Sequence, residues 1–158
     1  MHSYIEGIFL ETGKFKKLET YTPDKNAIFT GNISLGQLST LSEIPHFTYP
    51  EILTIVKRID VLWFSNEQFK FPLYAFEVVD TLNTLTEALN RCLQLWNFQT
   101  NFMIIGPRNY QSRFIEKINK LPYSKFKSRF KYRDYDEVKR FYKSSIEHNE
   151  IENEFFSK

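Results

Sequence analysis

Asp60 and Glu77 are the residues whose type and spacing most suggest chemistry. Each sits in an otherwise apolar, β-rich run, IDVLWF from Ile59 and PLYAFEVV from Pro72. The polar segment 65–72 between the runs predicts a hairpin. A hairpin midpoint between Gln68 and Phe69 sets Asp60 opposite Glu77, with Cβ atoms about 4.5–5.5 Å apart. Two carboxylates at that separation repel, and burying them is costly unless a cation lies between them. A divalent ion is the economical answer, and hard oxygen ligands on strands suit Mg²⁺, Mn²⁺ or Ca²⁺. Zinc would call for His or Cys nearby; only His46 is expected within reach, and Cys92 has no second cysteine. A second arrangement stays open, in which Asp60 pairs with Arg58 or Arg91 and Glu77 faces solvent.

The elements that must position these residues follow from periodicity. Helices are expected over 3–16, 50–57, 84–98, 110–120 and 134–146, from apolar residues at helical spacing and from Pro50 in a first turn. Strands are expected over 18–22, 59–64, 73–79, 102–105 and 126–132. Residues 23–49, with Gly31, Gly36 and Pro45, read as a long loop carrying short elements. The result is one α/β domain over 1–146, with a mixed central sheet flanked by helices, followed by an acidic tail over 147–158 that frays. Trp63 and Trp96 lie in apolar periodic segments and read as core; Cys92, on the apolar face of its helix, reads as inert.

Charge is segregated along the chain. Residues 108–143 carry twelve Lys/Arg against four Asp/Glu, although the net charge is only +2. Within that stretch Lys125, Lys127, Arg129, Lys131 and Arg133 recur at period two, with Phe126, Phe130 and Tyr132 between them. As a strand this places five cations on one face, about 6.6–6.8 Å apart, a row able to follow a phosphate backbone. Lysines on an edge strand also block sheet-to-sheet association.

The run Arg58-Ile-Asp60-Val-Leu-Trp-Phe, followed by Pro72-Leu-Tyr-Ala-Phe-Glu77-Val, resembles the core hairpin of the PD-(D/E)XK, or restriction-endonuclease-like, nuclease superfamily. It is most similar to a prokaryotic branch whose core reads RIDVIWF and FEVEHT. Glu6-Gly7, Thr20-Tyr-Thr-Pro-Asp24, Leu35-Gly36-Gln-Leu, the segment from Pro45 to Glu51, and Arg91-Cys-Leu-Gln94-Leu extend the likeness over residues 4–142. The resemblance implies an αβββαβ core and a Mg²⁺- or Mn²⁺-dependent endonuclease acting on DNA, of restriction or defence type. It implies Asp60 and Glu77 as metal ligands, Glu6 as an accessory acid, with Glu11 as a second choice, and Gln94 as a polar group turned into the site. Partners implied are DNA and either a second copy or another subunit that supplies sequence recognition. The likeness breaks two residues after Glu77, where the superfamily carries Lys or Glu and this chain has Val79. Asp80, brought inward by a bulge or a strand end, and Glu87 on the next helix are the candidate replacements. A competing expectation is therefore a catalytically inactive nuclease-fold module that binds nucleic acid or protein.

Composition narrows the field further. Hydrophobic residues at 42% and charged residues at 25% exclude wholesale disorder. No apolar run is long enough to cross a bilayer, and Glu6 inside the first apolar stretch is not the pattern of a secretory leader. A single cysteine excludes an internal disulfide and fits a cytoplasmic setting.

Overall fold

Val61–Phe64, Pro72–Val78 and Asn101–Gly106 are almost continuously apolar, so a sheet built from them requires cover on both faces, and the chain supplies helices to both. In the computed structural model, which describes residues 1–157, helix α1 (His2–Phe15) leads into strand β1 (Glu19–Tyr21). A small hairpin of β2 (Ile28–Thr30) and β3 (Ile33–Ser34) follows, then the short helices α2 (Leu35–Leu38) and α3 (Pro50–Val56). The hairpin β4 (Val61–Phe64) and β5 (Pro72–Val78) precedes α4 (Leu85–Leu93), β6 (Asn101–Gly106), α5 (Gln111–Ile118), β7 (Phe130–Asp134) and α6 (Tyr135–Phe156).

The main sheet runs in the order β1-β4-β5-β6-β7. β4 is antiparallel to β1 and to β5, whereas β6 and β7 run parallel to β5. This is a mixed α/β domain with a five-stranded central sheet and flanking helices. Leu62, Phe64, Ala75, Phe102, Ile104, Phe130 and Tyr132 pack on one face against Val56, Leu85, Leu89, Cys92, Phe114 and Ile118. Val61, Trp63, Phe76, Val78 and Ile105 pack on the other against Ile5, Ile8 and Phe9 of α1 and Val138 of α6. The α1 contact is close: a Cβ at Gly13 would lie 2.5 Å from Trp63 Nε1, which instead donates a 2.7 Å hydrogen bond to the carbonyl of Phe9. The predicted hairpin register holds, since Val61 faces Phe76 and Leu62 faces Ala75. Extending it by one pair sets Asp60 opposite Glu77.

Three expectations need correction. The helix expected to reach residue 98 ends at Leu93, and irregular turns follow. Trp96, Asn97, Phe98 and Thr100 are weak helix formers, and carbonyls of this stretch have another partner: the Arg129 guanidinium donates to those of Leu95, Trp96, Phe98 and Thr100. Trp96 is consequently 53% exposed rather than core, leaning on Phe126; Trp63 and Cys92 are buried as expected. Second, the strand expected over 126–132 begins only at Phe130. Residues Tyr123–Arg129 form tight helical turns, anchored by Tyr123, whose hydroxyl donates to Asn90 Oδ1 at 2.5 Å. The five-cation row therefore does not exist on one face. Lys125 and Lys127 are exposed on the turns, Arg129 points inward over the Phe102 ring, and only Lys131 and Arg133 alternate on β7. Third, the acidic tail is not frayed: α6 starts at a capping box between Asp134 and Glu137 and continues unbroken to Phe156.

Arg129 thus holds the α4–β6 connection to the edge strand. Arg129→Ala, which leaves those carbonyls without a donor, is expected to cost about 2–3 kcal/mol in urea unfolding. Lys127→Ala and Lys131→Ala, both at exposed positions, should stay within about 0.5 kcal/mol of wild type.

Candidate active site

At the end of β5, where the chain leaves the sheet, side chains from four elements converge. Asp60 precedes β4, and its Oδ2 accepts a 2.7 Å hydrogen bond from the Val78 N–H, so the carboxylate bridges the two strands of the hairpin. The Thr22 hydroxyl donates to the Asp60 carbonyl at 2.8 Å and steadies the approach from β1. Glu77 is fully buried on the α4 side of the sheet. Arg91, one turn from the end of α4, meets it with a two-pronged bond: Nε donates to Oε2 at 2.5 Å and an η-nitrogen to Oε1 at 3.1 Å.

From the other side of the sheet, α1 brings Glu6 and His2 one helical turn apart. Glu6 is completely buried and neither of its carboxylate oxygens accepts an aligned hydrogen bond. Its Oε1 lies 2.9 Å from His2 Nε2, and the same nitrogen is 3.4 Å from Asp60 Oδ1. His2 Nδ1 lies 2.8 Å from Asp80 Oδ2. Asp80 lies two residues beyond the end of β5, so it escapes the strand's alternation, and its Oδ1 receives the Tyr135 hydroxyl at 2.5 Å. His2 is therefore an imidazolium gripped by three carboxylates, its pKa pushed up to about 11, chiefly by the hydrogen bond to Asp60 and then by Glu6, against the opposing effect of burial. Burial drives Glu6 up to about 7, with His2 pulling against it. Burial also raises Glu77, and Arg91 opposes that rise; a fork in which both carboxylate oxygens accept is the geometry of the ionised pair.

His2, Glu6 and Asp60 present ligand atoms within 4.8 Å of one another. They adjoin an open cleft of about 310 Å³ whose lining includes His2, Asp60, Val79, Asp80, Glu87 and Arg91. The Glu6 and Asp60 carboxylates fit a hard divalent cation, which would compete with the protonated His2 for the same oxygens; His2 could become a ligand only by giving up its proton.

Each residue expected in the site can now be placed. Glu6, Asp60, Glu77 and Asp80 come together, and Glu87 lines the exposed rim of the cleft. Val79 lies on the Glu77 side of the sheet, lines the same cleft and is 1% exposed, offering only methyl groups. Gln94 does not reach the cleft: it caps α4 and its amide turns back to the Asn90 carbonyl. Glu11 accepts from Tyr142 on α6. The open alternative for the hairpin is answered differently from either form expected: Arg91 pairs with Glu77, not Asp60, and Glu77 does not face solvent. His46 lies in a separate loop cleft with Phe69 and Phe71. The imidazole in the site is His2, whose signal was the His2–Glu6 spacing of four at the start of an apolar helix. Tyr135 had no sequence signal beyond its place after the α6 cap. Compared with known proteins, the chain matches no family model, no curated protein and no solved structure.

The buried Glu77 charge depends on one partner. Arg91→Met should therefore destabilise the protein by about 3–5 kcal/mol, the usual effect of orphaning a buried ion. Adding Glu77→Leu should restore most of that loss, as read from the urea midpoint of the double variant.

Proposed function

We propose that this chain is a metal-dependent phosphodiesterase of the PD-(D/E)XK kind, acting on DNA as an endonuclease. The observation that carries the reading is the convergence on the hairpin end of a fully buried Glu6 with Asp60 and His2, whose ligand atoms lie within 4.8 Å of one another. A protein keeps such a group at a cost to stability, and functional sites are where that happens. The order α1-β1-β4-β5-α4-β6 supports it, being the αβββαβ order that the resemblance implies, as does the convergence of the acids on the hairpin end.

In this reading Asp60 and Glu6 would hold Mg²⁺ or Mn²⁺ in place of the His2 imidazolium that faces them here. The ion would polarise a phosphoryl oxygen and lower the pKa of an attacking water. The chain's own residues do the rest. Asp60 is held by the Val78 N–H, so its carboxylate is aimed before any ligand arrives. Arg91 lies on the cleft wall, where its guanidinium can meet a phosphate oxygen beside Glu77, and Asp80, bound by Tyr135, provides the carboxylate that Val79 does not. Exposed Trp96 lies 6.0 Å from the Phe126 ring, which Lys125 and Lys127 flank in sequence, and the group offers a stacking and phosphate-contacting surface for a strand. One observation favours a second reading, a nuclease fold retained for binding alone: the apolar Val79 on the cleft wall, where water activation would need a polar group.

Thermal unfolding tests the metal site directly. Millimolar Mn²⁺ should raise the wild-type Tm; a hundredfold excess over Kd adds about 2.7 kcal/mol, or about 5–10 °C for a chain of this size. Glu6→Gln should lose the Mn²⁺ response, as should Asp60→Asn. An equal rise in all three proteins would remove the site. Plasmid nicking then separates the two readings. Slow wild-type nicking with Mn²⁺, raised by Val79→Lys and abolished by Asp60→Asn, is expected of the enzyme. DNA binding with no nicking by any variant is expected of the binding module.

A further inference from the structure

Two interior strands are left partly uncovered. Tyr74 on β5 and Met103 on β6 lie on the α1 face of the sheet and pack against its core, yet both are only half-buried. Interior strands of an α/β sheet ordinarily hide both faces. Helix α1 packs on this face through Phe9 and α6 through Val138, and a cleft of about 600 Å³ stays open between them. That volume is in the range of small-molecule sites.

The floor of the cleft is aromatic. Phe76 stacks on Phe9 with ring centroids 4.1 Å apart, and Trp63 meets Tyr74 at 5.3 Å and Phe76 at 4.7 Å. Met103, whose thioether adapts to ring edges, and Ile105 complete it. The Trp63 indole N–H is already engaged by the Phe9 carbonyl, and the backbone groups of β5 and β6 serve the ladders on either side. The Tyr74 hydroxyl apart, the floor therefore offers no hydrogen-bonding group. It suits a hydrocarbon ring system rather than the polar edge of a nucleobase.

The rim is charged, with Lys16, Arg133 and Arg140 against Glu137. Glu137 is occupied at the start of α6: one oxygen accepts the Asp134 N–H and the other lies 3.9 Å from Arg133. In the adjoining cleft, which shares Lys16 and Phe141, Glu152 lies 3.0 Å from His148. Lys16 and Arg140 are exposed and form no ion pair among the described residues. Two unmatched cations above a ring-lined floor call for a ligand that is flat and apolar at one end and anionic at the other. We propose that this cleft binds a small aromatic anion, a fused-ring hydrocarbon bearing one carboxylate. The rings would lie against Trp63, Tyr74 and Phe76, and Lys16 and Arg140 would meet the carboxylate. The cleft has no lining residue in common with the one at the acid cluster, so the site stands whether or not the nuclease reading does.

The chain has two methionines, Met103 in the cleft and Met1 before α1. Labelling their methyl groups gives one NMR reporter inside the proposed site and one outside it. 2-Naphthoate should move the Met103 signal saturably, with a Kd on the order of 10–100 µM for a ligand of its size, and leave Met1 in place. The neutral isostere 2-naphthalenemethanol should bind about tenfold more weakly, since it forgoes hydrogen bonds to charged groups. Lys16→Ala/Arg140→Ala should bind the acid and the alcohol alike while keeping wild-type circular dichroism, both side chains being exposed. A Met103 signal that stays still at millimolar 2-naphthoate overturns the proposal. So does a Met1 shift as large as that of Met103, which marks non-specific association. Equal binding of acid and alcohol by the wild type overturns the charge assignment, and tighter binding of decanoate than of 2-naphthoate overturns the aromatic one.

Discussion

Burying carboxylates against one another is the constraint around which this molecule is arranged. Asp60 and Glu77 face each other across a hairpin whose other side chains are almost all apolar, and Glu6 arrives behind them from α1 with no exposure at all. Three acids in so little solvent cannot be held without cations. The fold brings one from each side of the sheet: Arg91 from α4 to Glu77, and His2 from α1 to Glu6, Asp60 and Asp80. Helix α1 therefore both caps the core and carries part of the site, and the close approach at Gly13 keeps it seated on Trp63.

The same constraint separates structural from functional charge. Arg129 and the Arg108–Asp134 pair serve the fold, the first by collecting carbonyls at the end of α4, the second at the cap of α6. Asp80 and His2 serve neither the core nor a helix end. They form a polar cluster at the mouth of a cleft, tied to α6 through the Tyr135 hydroxyl. Tyr135 begins α6, and its neighbour Asp134 caps it, so the placement of that helix reaches the site.

A strand period was decisive where both faces were buried and misleading where they were not. The hairpin register could be read from residues because every side chain from Val61 to Phe64 is buried, and a slip by one would turn Asp60 and Glu77 to the wrong faces. The alternation of cations from Lys125 to Arg133 looked equally regular. Its first half instead folds into tight turns, because Tyr123 is anchored inward and Arg129 is drawn to carbonyls that only the fold exposes. A period of two on a solvated segment has no packing term behind it.

The sequence by itself determined the succession of the main helices and strands along the chain, the facing of Asp60 and Glu77, and the side of the sheet on which Val79 lies, since alternation and hairpin length are local properties of the chain. The small β2–β3 hairpin and the true ends of α4, β7 and α6 were not legible in that way. Neither was the choice of cations. His2 lies fifty-eight residues from Asp60 and seventy-eight from Asp80, and Arg91 lies fourteen from Glu77 and thirty-one from Asp60, separations that by themselves choose no partner. Only the packing of α1 and α4 on opposite faces of one sheet end decided which acid met which base, because an ion pair is chosen by distance and desolvation in space, and neither is a property of sequence separation.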